Sequence, residues 1–205
     1  MTDRGVADVE ALRELYGEPS DIVRRKAINR LDRHCRAIIA ASPFLVMATS
    51  AADGRTDASP RGDAPGFVTV LDDTTLLIPD RPGNRRLDSL RNITENPHVG
   101  LIFFVPGMNE TLRVNGAAEI TTDESLLAPV TVRGRRPTSG IIVRVEEAFL
   151  HCAKALIRSR LWDPSRHIDR KAFPTLGQMV ADQVGDVDAA EADARIDASY
   201  RDRLY

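Results

Sequence analysis

Thr56-Asp-Ala-Ser-Pro-Arg-Gly-Asp63, then Gly66-Phe-Val-Thr-Val-Leu71, the Asp72-Asp73 pair, Thr74-Thr-Leu-Leu-Ile-Pro79 and Asp80-Arg-Pro-Gly-Asn-Arg-Arg-Leu-Asp-Ser-Leu-Arg91 run in succession, with only Ala64-Pro65 between the first two. Two strand-like runs joined by a tight turn bring the residues before the first strand and those after the second to one end of a hairpin. Arg61 is therefore expected to face Arg85 and Arg86, with the hydroxyls of Ser59 and Ser89 and the amide of Asn84 around one point. Guanidinium groups keep their charge and present paired N–H donors that match phosphate oxygens. Gly62 and Gly83 let the backbone come close. Asn84 can cap a helix from about Arg85 to Ile93, whose free N–H groups would point at the same anion. The competing reading is a solvated basic face balanced by Asp57, Asp63, Asp80 and Asp88.

On either side of this stretch the pattern is mostly strand. Phe44 to Ser50 reads as a buried strand, and Asp53-Gly54 turns the chain back through Thr56 to Ser59. His98 to Val105 is almost wholly apolar, Thr111 to Thr121 carries a glycine that suits a bulge, and Gly140 to His151 is expected to close the sheet. Helices are expected at the two ends: Val6 to Tyr16, a long helix capped by Ser20 and running to about Ala41, then Cys152 to Asp163, Phe173 to Gly185 and a tail from Asp186 that is a solvated helix or partly mobile. Asp123 to Val132 reads as a helical crossover, leading into the basic loop Arg133-Gly-Arg-Arg-Pro137, which is either exposed or a second anion contact. Strands joined by short turns, without strand and helix alternation, favour an antiparallel barrel over a doubly wound sheet.

Composition narrows the classes. The chain has 205 residues, 42% hydrophobic and 28% charged, with a formal net charge of -2, so no overall basic field recruits nucleic acid or an anionic membrane. No apolar run is long enough to span a bilayer and no signal core opens the chain, which points to the cytoplasm. Cys35 and Cys152 give no disulfide framework. The four histidines are scattered, so no metal site is expected; His34 and Cys35 are adjacent and do not share a helix face. Dinucleotide, Walker, nucleophile-elbow and zincin signatures are absent.

The ordered set Ser59-Pro-Arg-Gly-Asp63, hairpin, Asn84-Arg85-Arg86, Glu95-Asn-Pro97, apolar strand and Leu112-Arg-Val-Asn-Gly116 resembles the pyridoxamine 5'-phosphate oxidase-like, FMN-binding split β-barrel superfamily. It is most similar to a subgroup of predicted flavin-nucleotide-binding proteins with a Phe-x-His-Cys-x-Lys-Ala-x-x-Arg-Ser-x-x-Trp pattern, here Phe149 to Trp162. The resemblance implies a mainly β (α+β) fold, a six-stranded antiparallel split β-barrel with N-terminal and C-terminal helices. The expected organisation is one FMN-binding unit over 1–205, with a helical extension at 1–42, the barrel at 44–151 and helices at 152–205.

It also implies a homodimer with FMN in the groove between subunits. Arg61 and Asn84-Arg85-Arg86 stand where the family holds the phosphate, with Ser59, Gly62 and Ser89 joined to them by the chemistry above. Thr111 falls where the oxidase has a flavin-contacting glutamine, and Lys154, Arg158 and Trp162 lie near its C-terminal Trp and Arg, which reach the partner's flavin. The function implied is an FMN-dependent oxidoreductase acting on a small molecule, with NAD(P)H as a candidate reductant. The alternatives are a non-catalytic flavin- or haem-binding module and a deazaflavin-dependent reductase. The oxidase's terminal Trp and Arg-x-His signature is missing, His151-Cys152-x-Lys154 standing there instead, which argues against pyridoxamine phosphate as substrate. No side chain is singled out as catalytic.

Overall fold

The computed structural model describes residues 5–6 and 8–205. Seven strands form one antiparallel sheet: β1 (Phe44–Ser50), β2 (Thr56–Gly62), β3 (Thr69–Val70), β4 (Thr75–Pro79), β5 (His98–Phe104), β6 (Thr111–Thr121) and β7 (Gly140–His151). Their order is β2-β1-β5-β6-β7-β4-β3. The strands number seven where six were expected. The Gly66 to Leu71 run pairs only at Thr69 and Val70, because Phe67 and Val68 turn inward into the core. The strand from Gly140 does not close the sheet: it lies inside it, with β6 on one side and β4 on the other.

Turn chemistry sets the register. Gly54 takes φ 87°, and Ala51 N–H donates to the Arg55 carbonyl at 2.7 Å, which pairs Ser50 with Thr56 and, at the far end, Phe44 with Gly62. In β6 the ladder slips between Asn115 and Gly116. A Cβ on Gly116 would lie 2.0 Å from the Arg144 carbonyl oxygen, so only glycine allows that bulge.

Alternation then divides each strand between two faces. Leu45, Met47, Leu101, Phe103, Leu112, Val114, Ile141 and Val143 point inward and join Leu76 and Ile78 of β4 in one cluster. β1 and β4, from opposite halves of the order, share that cluster, so the sheet is curled around a single interior. Burying Phe103 completely contributes roughly 2–3 kcal/mol.

Among the described residues eight α-helices accompany the sheet: α1 (Val9–Tyr16), α2 (Asp21–Arg25), α3 (Arg33–Ala41), α4 (Asp88–Glu95), α5 (Glu124–Leu127), α6 (Lys154–Ser159), α7 (Leu176–Val184) and α8 (Ala189–Asp202). The long helix expected after Ser20 is broken in two. Ile28 leaves the helix to exchange backbone hydrogen bonds with Ala148 on the free edge of β7, at 3.0 and 2.7 Å. Asp32 restarts it by accepting from the N–H groups of His34 and Cys35. Cys35, Ile38 and Ile39 of α3 are buried as the stripe predicts, and Ile93 of α4 enters the same core. No described helix is long and apolar enough to cross a membrane.

Candidate functional site

The β3–β4 hairpin does bring the end of β2 beside the end of β4. Arg81 Nε lies 2.6 Å from Asp63 Oδ2, and the Arg61 guanidinium acts on the neighbouring Asp80 carboxyl. Burial pushes that carboxyl above the usual range, and the Arg61 charge partly offsets it. Arg61 itself is held locally: Nη1 donates to Pro60 O at 2.9 Å and to Ser59 Oγ. Its Nε is buried and has no partner among the described residues. A buried N–H without an acceptor costs about 1–3 kcal/mol, so this guanidinium is incomplete as it stands.

The segment between β4 and α4 is strained just before the helix. Arg85 and Leu87 take φ 63° and 60°, left-handed values that cost a side-chain-bearing residue about 1–2 kcal/mol each. Asn84 does not cap a helix from Arg85. Its Oδ1 accepts from Arg86 N–H at 3.0 Å, making a turn, and α4 begins only at Asp88, with Leu87 at its N-cap and no side chain on the free N–H groups. Arg85 makes no hydrogen bond or ion pair among the described residues.

The expected convergence of three guanidiniums on one point is not what the structure presents. Arg86 pairs with Asp88 at 2.8 Å and lies in a cleft of about 190 Å³ with Arg55, Arg91 and Asp57. Asp57, Ser59 and Arg61 alternate along the half-buried face of β2, so Arg61 and the Asp57 end stand about 13 Å apart at some 3.3 Å per residue. Ser89 is buried, and its hydroxyl donates to Asp57 Oδ2 at 2.8 Å. Gly62 serves the fold: a Cβ there would press on the Pro43 carbonyl at 3.3 Å. Arg55 and Arg91 of this cleft were not singled out from the sequence, and Asp57 was named only as a counter-charge, although its two-residue spacing to Ser59 and Arg61 made its place on that face legible.

The second expected group lies elsewhere. Thr111 opens β6 opposite His151 and is 1% exposed, so its side chain faces the interior. Trp162 donates from Nε1 to the Met108 carbonyl at 2.8 Å, on the loop between β5 and β6. Lys154 and Arg158 are exposed on α6. All are at the same end of the sheet as Arg61, but β1 and β5 lie between, and one protomer does not bring the two groups together. A larger open groove, about 520 Å³, crosses the outward sheet face over Ala48, Ala58 and Gly100. We place the candidate site at the smaller cleft and Arg61, where the charges and the unfilled donor are. Among the described residues no cluster of His, Cys, Asp or Glu could hold a metal ion.

A profile described as pyridoxamine 5'-phosphate oxidase matches residues 31–152, from before α3 to just past β7, more than half of the chain. The chain belongs to the pyridoxamine 5'-phosphate oxidase family. The matched region contains Arg61, the 84–87 segment and all seven strands. No curated sequence matches the chain. Among solved structures, HupZ of Group A Streptococcus is 22% identical over 58% of this chain and 92% of its own, with a TM-score of 0.48. An FMN-binding protein from Syntrophomonas wolfei is 11% identical over 70% and 97%, with a TM-score of 0.49. HutZ, the heme storage protein from Vibrio cholerae, is 14% identical over 59% and 94%, with a TM-score of 0.40.

Proposed function

We propose that this chain binds FMN by its phosphate at Arg61 and acts, as a homodimer, in oxidation or reduction of a small molecule. The buried, unpartnered Nε of Arg61 carries this reading: it is a cationic donor that lacks an acceptor. A phosphate would supply that acceptor. Ser59 and Arg61 would hold it from the strand, and Arg85 and Arg86 from the loop. Arg86 is 71% exposed and tied only by its surface pair to Asp88, worth about 1 kcal/mol at most, so a charge-assisted bond to phosphate at about 1.5–3 kcal/mol outweighs it. When bound, the flavin supplies the two-electron chemistry.

The outward sheet face supports the dimer. Phe44 pairs with Phe104 and Val46 with Ile102 in the ladder, opposite in direction to the buried Leu45, Met47, Leu101 and Phe103. Phe44 is 39% exposed, its ring 6.1 Å from that of Phe104. A twofold contact through this patch would place the Lys154, Arg158 and Trp162 end of one subunit beside the partner's Arg61. The curled antiparallel sheet fits a split barrel, and two unpaired cysteines, one buried, fit a reducing cytosol.

The test is titration of the protein with FMN and with riboflavin. Tight FMN binding that drops on removing the phosphate supports the reading, and equal affinities for both refute the anion site. Bound FMN that NADH and NADPH leave oxidised would mark a binding module instead.

A further inference from the structure

Tyr205 meets the site from the far end of the chain. Its hydroxyl donates to Asp63 Oδ1 at 2.8 Å, its ring lies 4.8 Å from the Arg133 guanidinium carbon and 6.0 Å from that of Arg81, and Arg135 donates to its main-chain oxygen. The loop at 133–137, which the site described above does not use, is thus half of a basic recess that receives this residue. The α7–α8 hairpin that leads to it packs on itself, with Gly177 against Ala189 and Asp193, and Tyr205 ties it to the barrel.

The contact completes Asp63. The carboxylate is only 3% exposed; Oδ2 takes Arg81 and Oδ1 takes both Tyr205 and the Ala64 N–H. Asp63 lies two residues from Arg61, within reach of a long guanidinium side chain. With its lone pairs used elsewhere it does not neutralise Arg61, whose Nε stays unfilled.

We propose that Tyr205 is a positioning residue: by docking in the Arg81–Arg133 recess it holds Asp63 away from Arg61, so that the state of the tail sets the affinity of the site for a phosphate-bearing ligand. The coupling rests on the phosphate reading of Arg61; the docking does not.

Two measurements on the whole chain separate them. Hydrogen exchange over residues 189–202 in flavin-free protein reads the docking. Tyr205→Ala should speed exchange there by about tenfold, and equal exchange in variant and parent overturns the docking. Titration reads the coupling. Tyr205→Phe, which keeps the ring and drops the hydroxyl, should weaken FMN by about threefold to tenfold and leave riboflavin unchanged. Adding Asp63→Asn should restore the parental FMN affinity, because an amide does not compete for Arg61 as a carboxylate does. No loss in the single variant, or a loss the second substitution does not restore, overturns the positioning role. A parent protein that binds FMN and riboflavin alike removes the phosphate reading and the coupling together, and the exchange result still decides the docking.

Discussion

Asp63–Arg81 and Asp80–Arg61 are two meetings of a carboxylate and a guanidinium at the same mouth of the sheet, and they differ in how far each is finished. In the first, the ion pair is largely out of water, at 3% and 15% exposure, and every carboxylate oxygen has a donor. In the second, Asp80 gains no side-chain donor among the described residues, its proton affinity is raised by burial, and Arg61 keeps a buried N–H unused. A finished pair stabilises the native state and has nothing left to offer a ligand. An unfinished one costs stability and keeps its donors available.

Breaking each pair should therefore give opposite results. Arg81→Ala leaves Asp63 buried without its cation and should lower folding stability by about 3 kcal/mol, read from urea unfolding. Arg61→Ala removes an unmet buried N–H but also the charge that offsets the burial of Asp80, two opposed effects, so stability should fall much less than in Arg81→Ala. Equal losses in the two variants would erase the distinction. In binding the ranking reverses: Arg61→Ala should weaken FMN by about 1.5–3 kcal/mol while riboflavin binding stays nearly constant, as measured by flavin fluorescence.

The loop extends the contrast. Leu87→Gly relieves a left-handed side chain and should raise stability by about 0.5–1 kcal/mol, with FMN affinity unchanged. Arg85→Gly should gain similar stability and lose FMN affinity, because its side chain and not its backbone angle serves the anion. The smallest effects concern pH. Burial opposes ionisation of Asp63, but hydrogen bonds from Ala64 and Tyr205 and the Arg81 charge outweigh it and hold its carboxyl below the usual range. Its contribution is present at neutral pH and is lost as acid protonates it. Asp80 runs the other way: its raised proton affinity makes its charge a cost at neutral pH that is relieved on acidification. Asp63→Asn should flatten the acid fall in stability, and Asp80→Asn should raise stability at neutral pH, both read from melting curves across pH.

Much of the sheet was legible because its signals are local. Asp53-Gly54 gave the β1–β2 hairpin, the glycine in Thr111 to Thr121 marked the bulge at 115/116, and Gly140 to His151 runs as one strand over those residues. Errors arose where a distant segment competed. The apolar stripe through Ile28 reads as helix, but the free edge of β7 takes that residue's backbone. The run from Gly66 reads as strand, but the core takes Phe67 and Val68. The arginines singled out by type and spacing do not converge: Arg86 turns to Asp57 and Asp88 while Arg61 sits beside Asp80.

Apolar runs and turn residues alone located the long strands β1, β5, β6 and β7, since both signals depend on neighbours within a few positions. Only the folded chain decided which carboxylate each guanidinium meets, and that Tyr205 comes to rest against Asp63, 142 positions away. Charge pairing depends on distances across strands remote in sequence, and those exist only once the sheet has curled.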